Sequence, residues 1–352
     1  MIVTTDLIAF SIALLGSVLL TVPIRELALH YGIVDLPGPR KVHVKPVPLL
    51  GGIAIYLAFI ISILATHDVA PQRQIIAIVS GATLVALVGF LDDRGLLHHQ
   101  VKLFVAMPAA AVVLVASGIR AHPISHFIPG TASAVLDVCF TIFWVVGITA
   151  AFSILDHMDG LCAGIAAIAA AYFTMAAVMG GQTMVRTLGA AVLGAALGFL
   201  CWNFNPAKIF MGDGGAMFLG FLMATLSLKI RPVAADFPVG WLAPILILGV
   251  PIFDTTLVSI SRARRGLLPF TSPGKDHTAH RLSNLGLGHR GAVLAMYCLA
   301  ALCGGFALLV PRVSPLEACA LAAVLVLGGL AAVFFLESAP YERQLKLQKP
   351  SN

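Results

Sequence analysis

Residues 185–215 read VRTLGAAVLGAALGFLCWNFNPAKIFMGDGG. After Arg186 and Thr187 the run is apolar or small as far as residue 202. A helix over 185–202 would rise about 27 Å at about 1.5 Å per residue, close to the roughly 30 Å of bilayer hydrocarbon. The run then stops on Asn203, Asn205, Pro206 and Lys208, and a carboxylate, Asp213, follows among glycines. A stretch of this kind predicts a membrane-spanning helix with polar chemistry at its end. The design recurs along the chain, in which 59% of 352 residues are hydrophobic and 11% charged. Mean hydropathy is +0.97. A water-soluble domain carries about 25% charged residues, so a soluble enzyme, a disordered chain and a disulfide-stapled secreted fold are all excluded.

Apolar blocks near 6–28, 49–66, 74–91, 101–119, 134–153, 161–179, 185–202, 215–230, 239–261, 291–310 and 315–336 predict about eleven transmembrane helices. None shows the alternation of a barrel strand, so the expected fold is an all-α polytopic membrane protein, one domain over residues 1–352. Gly189, Gly194 and Gly198 should let neighbouring backbones approach. Of the 22 basic residues, only Arg73, Arg120, Arg186, Lys229, Arg231 and Arg312 fall on one side of this topology. The positive-inside rule then places the N-terminus outside and the C-terminus in the cytoplasm. The first span has no basic leader segment or clean cleavage site and is expected to be retained. Each of the six cysteines falls in or beside a span and none forms a CxxC pair, so neither disulfide nor metal ligation is assigned to them. The net charge of +6 mostly follows from topology, with a weak preference for phosphate-bearing substrates besides.

The informative feature is where the acids stand. Asp92 and Asp93 end the third span in GFLDDRG, Asp156 and Asp159 end the fifth in SILDHMDGL, Asp213 precedes the eighth, and Asp254 lies late in the ninth in PIFDTT. All fall on the cytoplasmic side of the expected topology. A lone acid at a span end is an ordinary terminator balancing nearby Lys and Arg. Six gathered from separate helices are better explained by a cation, because carboxylates at membrane depth face a cavity, a partner or an ion. Mg2+ accepts one or two carboxylates and leaves places for phosphate oxygens, so a Mg2+–diphosphate site is expected, with Mn2+ as the other candidate ion. Asp156 and Asp159 should share a face of a helical turn. Asp92 and Asp93 should share a site only if the chain leaves helix there. The amides opening the helix at GDGG suit an anion.

Two further segments are basic. PGPRKVHVKPVPLLGG at 37–52 carries Arg40, Lys41 and His43, and SPGKDHTAHRL at 272–282 carries His277, His280 and Arg281. Positive-inside charge accounts for most of the Lys and Arg but less well for the histidines. Phosphate binding ranks above zinc for these groups, because no Cys or Glu accompanies the His-x-x-His pair.

Taken in order, PxxRKxHxxPxPxxGG at 37–52, GFLDD with Lys102, DxxDGL at 156–161, NFNPAKIFMGDGG at 203–215, PIFDT at 251–255 and the histidine loop resemble the polyprenyl-phosphate N-acetylhexosamine-1-phosphate transferases of glycosyltransferase family 4. The likeness covers essentially the whole chain and favours the branch that uses N-acetylglucosamine. It implies a multi-pass enzyme of the bacterial cytoplasmic membrane that moves a sugar 1-phosphate from a UDP-N-acetylhexosamine to a polyprenyl phosphate, as the first step of a cell-envelope polysaccharide. It also implies Asp213 as leading metal ligand and Asp92 and Asp93 at the metal and prenyl-phosphate site, where one of them would accept the attacking phosphate's proton. Asp156 and Asp159 would hold the nucleotide sugar or assist catalysis, and Phe210 would stack on uracil. Ser153 and Lys102 would line the substrate site, and His277, His280 and Arg281 would contact diphosphate or sugar, as would the Arg40–His43 segment. A second copy of the chain is an expected partner and nucleic acid is not.

The chain departs from the family pattern at Ala150 and Ser153, where Asn is common, at His157, where Gly or Asn is usual, at Ala279 in place of a histidine, and at Gly214 and Ala216, where Ser is frequent. A catalytically impaired member is therefore one alternative. Another is a Mg2+-dependent membrane prenyltransferase, which shares the clustered acids but leaves KIFMGDGG and the histidine loop unexplained. A transporter would carry its acids mid-bilayer on broken helices.

Overall fold

The computed structural model describes residues 2–37, 46–66, 72–97, 99–231, 239–267 and 274–339. A helix stands at every one of the predicted blocks. In chain order these are α1 (Ile2–His30), α2 (Gly51–Ala65), α3 (Gln72–Asp93), then α4 (His99–Val101), which passes through a π turn at Lys102–Ala106 into α5 (Met107–Ala116). There follow α6 (Thr131–Leu155), α7 (Leu161–Met179), α8 (Thr183–Asn203), α9 (Gly212–Lys229), α10 (Val239–Ile247), α11 (Gly249–Arg264), α12 (Thr278–Leu282), α13 (Gly288–Leu309) and α14 (Pro315–Ser338). Among the described residues the exception to all-α is a short antiparallel ribbon in which β1 (Val34–Asp35) pairs with β2 (Val47–Pro48).

Among the described residues, seven helices are long and apolar enough to cross a membrane, or eight if the bent pair α10–α11 is one span. The other expected crossings differ for physical reasons. Helices Gly51–Ala65 and Lys102–Ala116 are apolar but shorter. Helix α9 carries Asp213 at its start and Lys229 at its end, and nearly every residue between is buried. It is the centre of the bundle rather than a lipid-facing helix. The block at 239–261 breaks between Ile247 and Gly249 with a bend of 72°. Pro251 has no N–H to return to the preceding turn, so the helix cannot run straight through.

Packing follows the small residues. A methyl group on Gly194 would lie 2.3 Å from the Phe10 carbonyl oxygen, and one on Gly198 would lie 2.5 Å from that of Leu14. These two glycines therefore let α1 lie directly along α8, whereas Gly189 faces Thr174 of α7. Aromatic edges fill the centre, with the rings of Tyr56 and Phe59 each 5.5 Å from Phe218 of α9. Charges at one end of the bundle are paired internally. Asp6 meets Arg186 and accepts from Thr187 Oγ1 at 2.7 Å, Asp137 accepts from the Ile124 amide at 2.8 Å, and Lys229 donates to Gln74 at 2.8 Å. The opposite end holds the six aspartates. All six cysteines are free.

Candidate active site

Helix α9 begins against the end of α3, and their glycines make that approach possible. A methyl group on Gly89 would sit 2.5 Å from the Gly214 Cα, and one on Gly214 would sit 2.7 Å from the Phe90 ring. A serine at 214 would therefore collide with α3, so the glycine belongs with this packing. On the other side Gly52 faces Gly215, and the Gly51 and Gly52 amides donate to the Phe210 and Met211 carbonyls at 2.9 and 3.0 Å. Phe210 donates its own amide to the Pro48 carbonyl at 2.8 Å, which fixes the loop ahead of α9 on the β2 strand.

This packing lays Asp213 between the end of α3, the π turn that carries Lys102, and α6. Asp93 accepts from the Asp213 and Gly214 amides at 2.8 and 3.2 Å. It thereby fills the anion position predicted for the opening amides of this helix. Asp92 and the Asp213 carboxylate share the Lys102 ammonium, which lies 2.7 Å from Asp92 and is also paired with Asp213. Ser153 Oγ donates to Asp213 at 2.5 Å. The two adjacent acids thus reach one site without the chain leaving helix, because α9 starts across the end of α3, where one acid meets its amides and the other its side chain.

The turn between α6 and α7 separates the second acid pair. Residues 156–160 are not helical, with Asp156 at φ −79° and ψ 55°, so Asp156 and Asp159 do not share the predicted helical face. Burial pushes the Asp156 carboxyl well above its ordinary range, helped by the charges of Asp213, Asp93 and Asp159. Asp159 instead accepts from Asn205 Nδ2 and the Ala207 amide, each at 3.0 Å, and holds the 203–211 loop. Asn203 braces the same loop, accepting from Gly160 N at 3.0 Å and donating to the Ile209 carbonyl at 2.9 Å. The asparagines of NFNPAK are the positioning residues that motif reading left unassigned. Their place next to Pro206 was the available signal.

The histidine loop docks beside that turn. His277 Nδ1 lies 2.9 Å from Asp254, whose other oxygen accepts from the Thr278 amide at 2.7 Å. The His157 ring stacks 4.0 Å from His277 and lies 4.7 Å from His280. Arg281 is fully buried. It donates to the Asp276 and Leu336 carbonyls, to Ser261 and to Glu337, so its guanidinium ties the loop to α11 and α14. Asp276 bridges Arg262 and Arg265. Burial favours its neutral form, but the two guanidinium groups outweigh burial and hold it down to about 2.

The structure therefore brings together Asp92, Asp93, Lys102, Ser153 and Asp213, with Asp156 within electrostatic reach. His277 and His280 form a neighbouring group around Asp254 and His157, and the buried Arg281 side chain is spent on Asp276, Leu336, Ser261 and Glu337. Arg40, Lys41 and His43 lie outside the described residues.

The family model for glycosyl transferase family 4 matches residues 75–231, which include the whole acid cluster. The chain is 36% identical to a probable undecaprenyl-phosphate N-acetylglucosaminyl 1-phosphate transferase of Bacillus subtilis (strain 168), over 83% of this chain and 81% of the relative. It is 33% identical to a decaprenyl-phosphate N-acetylglucosaminephosphotransferase of Mycolicibacterium smegmatis, over 78% of this chain and 74% of the relative. It is 26% identical to an undecaprenyl-phosphate alpha-N-acetylglucosaminyl 1-phosphate transferase of Escherichia coli (strain K12), over 85% of this chain and 82% of the relative.

Proposed function

Because the chain belongs to glycosyl transferase family 4, we propose that it transfers N-acetylglucosamine 1-phosphate from UDP-N-acetylglucosamine to a polyprenyl phosphate. An oxygen of the prenyl phosphate attacks the sugar-bearing phosphorus. A new P–O bond forms, the bond to UMP breaks, and a polyprenyl-diphospho-sugar stays in the membrane. The observation that carries this proposal is the convergence of Asp92, Asp93 and Asp213 from α3 and α9 with Ser153 of α6 at one end of an apolar bundle. Mapped onto the predicted topology, that end faces the cytoplasm of a bacterium, the N-terminus lies outside, and the two short helices and α9 complete eleven crossings. A soluble nucleotide sugar and a lipid phosphate can meet there.

Two anionic substrates repel until positive charge is supplied. The site fits a Mg2+ or Mn2+ ion, because the oxygens of Asp92 and Asp213 already share one cation, the Lys102 ammonium, and offer the all-oxygen donor set such ions take. Asp92 and Asp213 would hold it, and it would neutralise phosphate charge there. Lys102 can then swing from the carboxylates to a phosphate oxygen. Asp93 keeps α9 seated, Ser153 orients Asp213, and Asp156 accepts a proton or a hydrogen bond from a sugar hydroxyl. Phe210, held at the loop ahead of α9, stacks on uracil.

Purified protein incubated with a panel of UDP-sugars and polyprenyl phosphate tests this. The lipid product should have the mass of a diphospho-N-acetylhexosamine, and UMP should appear in equal amount. A product formed from prenyl diphosphate with no nucleotide consumed would overturn it.

A further inference from the structure

His157 is the unusual residue of the α6–α7 turn, and nothing in the transfer reaction requires it. Its side chain is 13% exposed, yet both ring nitrogens are fully buried and neither has a hydrogen-bond partner among the described residues. A buried imidazole ordinarily satisfies at least one nitrogen. Its Nε2 lies 3.9 Å from the Asp254 oxygen that His277 Nδ1 approaches at 2.9 Å. One donor atom from each of His157, Asp254 and His277 falls within 4.8 Å of the others.

We propose that His157, His277 and Asp254 hold a divalent transition-metal ion of the Zn2+ class, separate from the acid cluster. Ligands at about 2.0–2.1 Å from a tetrahedral zinc stand about 3.3 Å apart. The separations of 2.9 and 3.9 Å bracket that value, and to reach the ion the His157 ring has to turn out of its stack on His277. The donor chemistry selects the ion. Two imidazoles and a carboxylate suit zinc, whereas the all-oxygen cluster around Asp213 suits magnesium. Burial and the neighbouring His277 push His157 well below the usual imidazole range, which leaves it neutral and ready to ligate. The Thr278 amide on Asp254 orients the carboxylate as an outer-shell partner would. His280, 4.7 Å from His157, stands next to the fourth position, which it or water can fill. The ion would join three distant segments, the α6–α7 turn, α11 and the histidine loop, and so fix the loop against the turn that carries Asp156.

The test uses the full chain in detergent, stripped by chelation and titrated with Zn2+ by calorimetry, with bound metal counted by elemental analysis. One Zn2+ per chain should bind. Co2+ should give the visible absorption of a four-coordinate site. His157→Asn should weaken binding by at least about tenfold, with metal-free melting lowered only by the lost packing of the ring on His277 and His280. Asp213→Asn should keep the zinc. Absence of stoichiometric zinc, zinc indifferent to His157→Asn, or zinc lost in Asp213→Asn would each overturn the proposal. The readout is metal content, so it stands or falls independently of transferase activity.

Discussion

Lys102 is the residue on which the electrostatics of the acid cluster turn. Among the described residues it alone joins the side chains of Asp92 and Asp213, and all three side chains are 16–25% exposed, so water screens the pairs only in part. Lys102→Met leaves two carboxylates facing each other. Losing one partner of a buried pair costs about 3 kcal/mol or more, so the variant should melt well below the parent in chelator and regain much of the difference when Mg2+ is added. Unfolding curves with and without Mg2+ check this; equal loss in both conditions would mean that no cation replaces the ammonium. At this scale the sequence was legible in part. The addresses of the acids and of Lys102 showed which groups meet, because charged residues at span ends are rare and costly. The contact of Ser153 with Asp213 was not legible, because it depends on how α6 rotates against α9, which small residues such as Gly220 set through packing. Nor could spacing show that Arg281 spends its donors on the protein, since an arginine in a loop reads the same whether it faces a phosphate or a carbonyl.

Helix α9 is the element that organises the site, and its N-terminus is closed by a side chain from another helix. Asp93→Ala removes the acceptor for the Asp213 and Gly214 amides, and lost caps of this kind cost about 1–2 kcal/mol. Thermal melting should show that loss, and kcat should fall with it as the start of α9 loosens. Asp93→Asn, which keeps one acceptor oxygen but turns an amide NH2 toward the second N–H, should recover only part of the stability. If the alanine variant melts like the parent, the cap is not what seats α9. Element existence was readable from hydropathy throughout, since every predicted block is helical. Element ends and irregularities were not. The π turn at Lys102–Ala106, the non-helical 156–160 turn and the α10–α11 bend all depend on contacts or on prolines whose effect varies with their surroundings. The pairing of Val34–Asp35 with Val47–Pro48 is too short to leave any periodic signal.

Across the whole molecule the two ends differ in kind. At one end charged side chains are satisfied within the protein, as in the Asp6–Arg186 ion pair and the hydrogen bond from Lys229 to Gln74. At the other, Asp92 of α3 and Asp213 of α9 share the Lys102 ammonium, and Asp156 of the α6–α7 turn stands within electrostatic reach. Single cysteines introduced at Arg94 and Lys208, beside the acid end, should be labelled by an impermeant thiol reagent only in inverted vesicles, and one at Arg120 only in right-side-out vesicles. Labelling of all three from one side would refute the shared orientation of the site. The most direct measurement is UMP release from UDP-N-acetylglucosamine and polyprenyl phosphate, with Mg2+ and with chelator, by the parent protein and by Asp213→Asn. Release by the parent should need the cation, and the variant should be inactive with an intact fold. Full release by the variant, or by the parent in chelator, would contradict a cation held at Asp213.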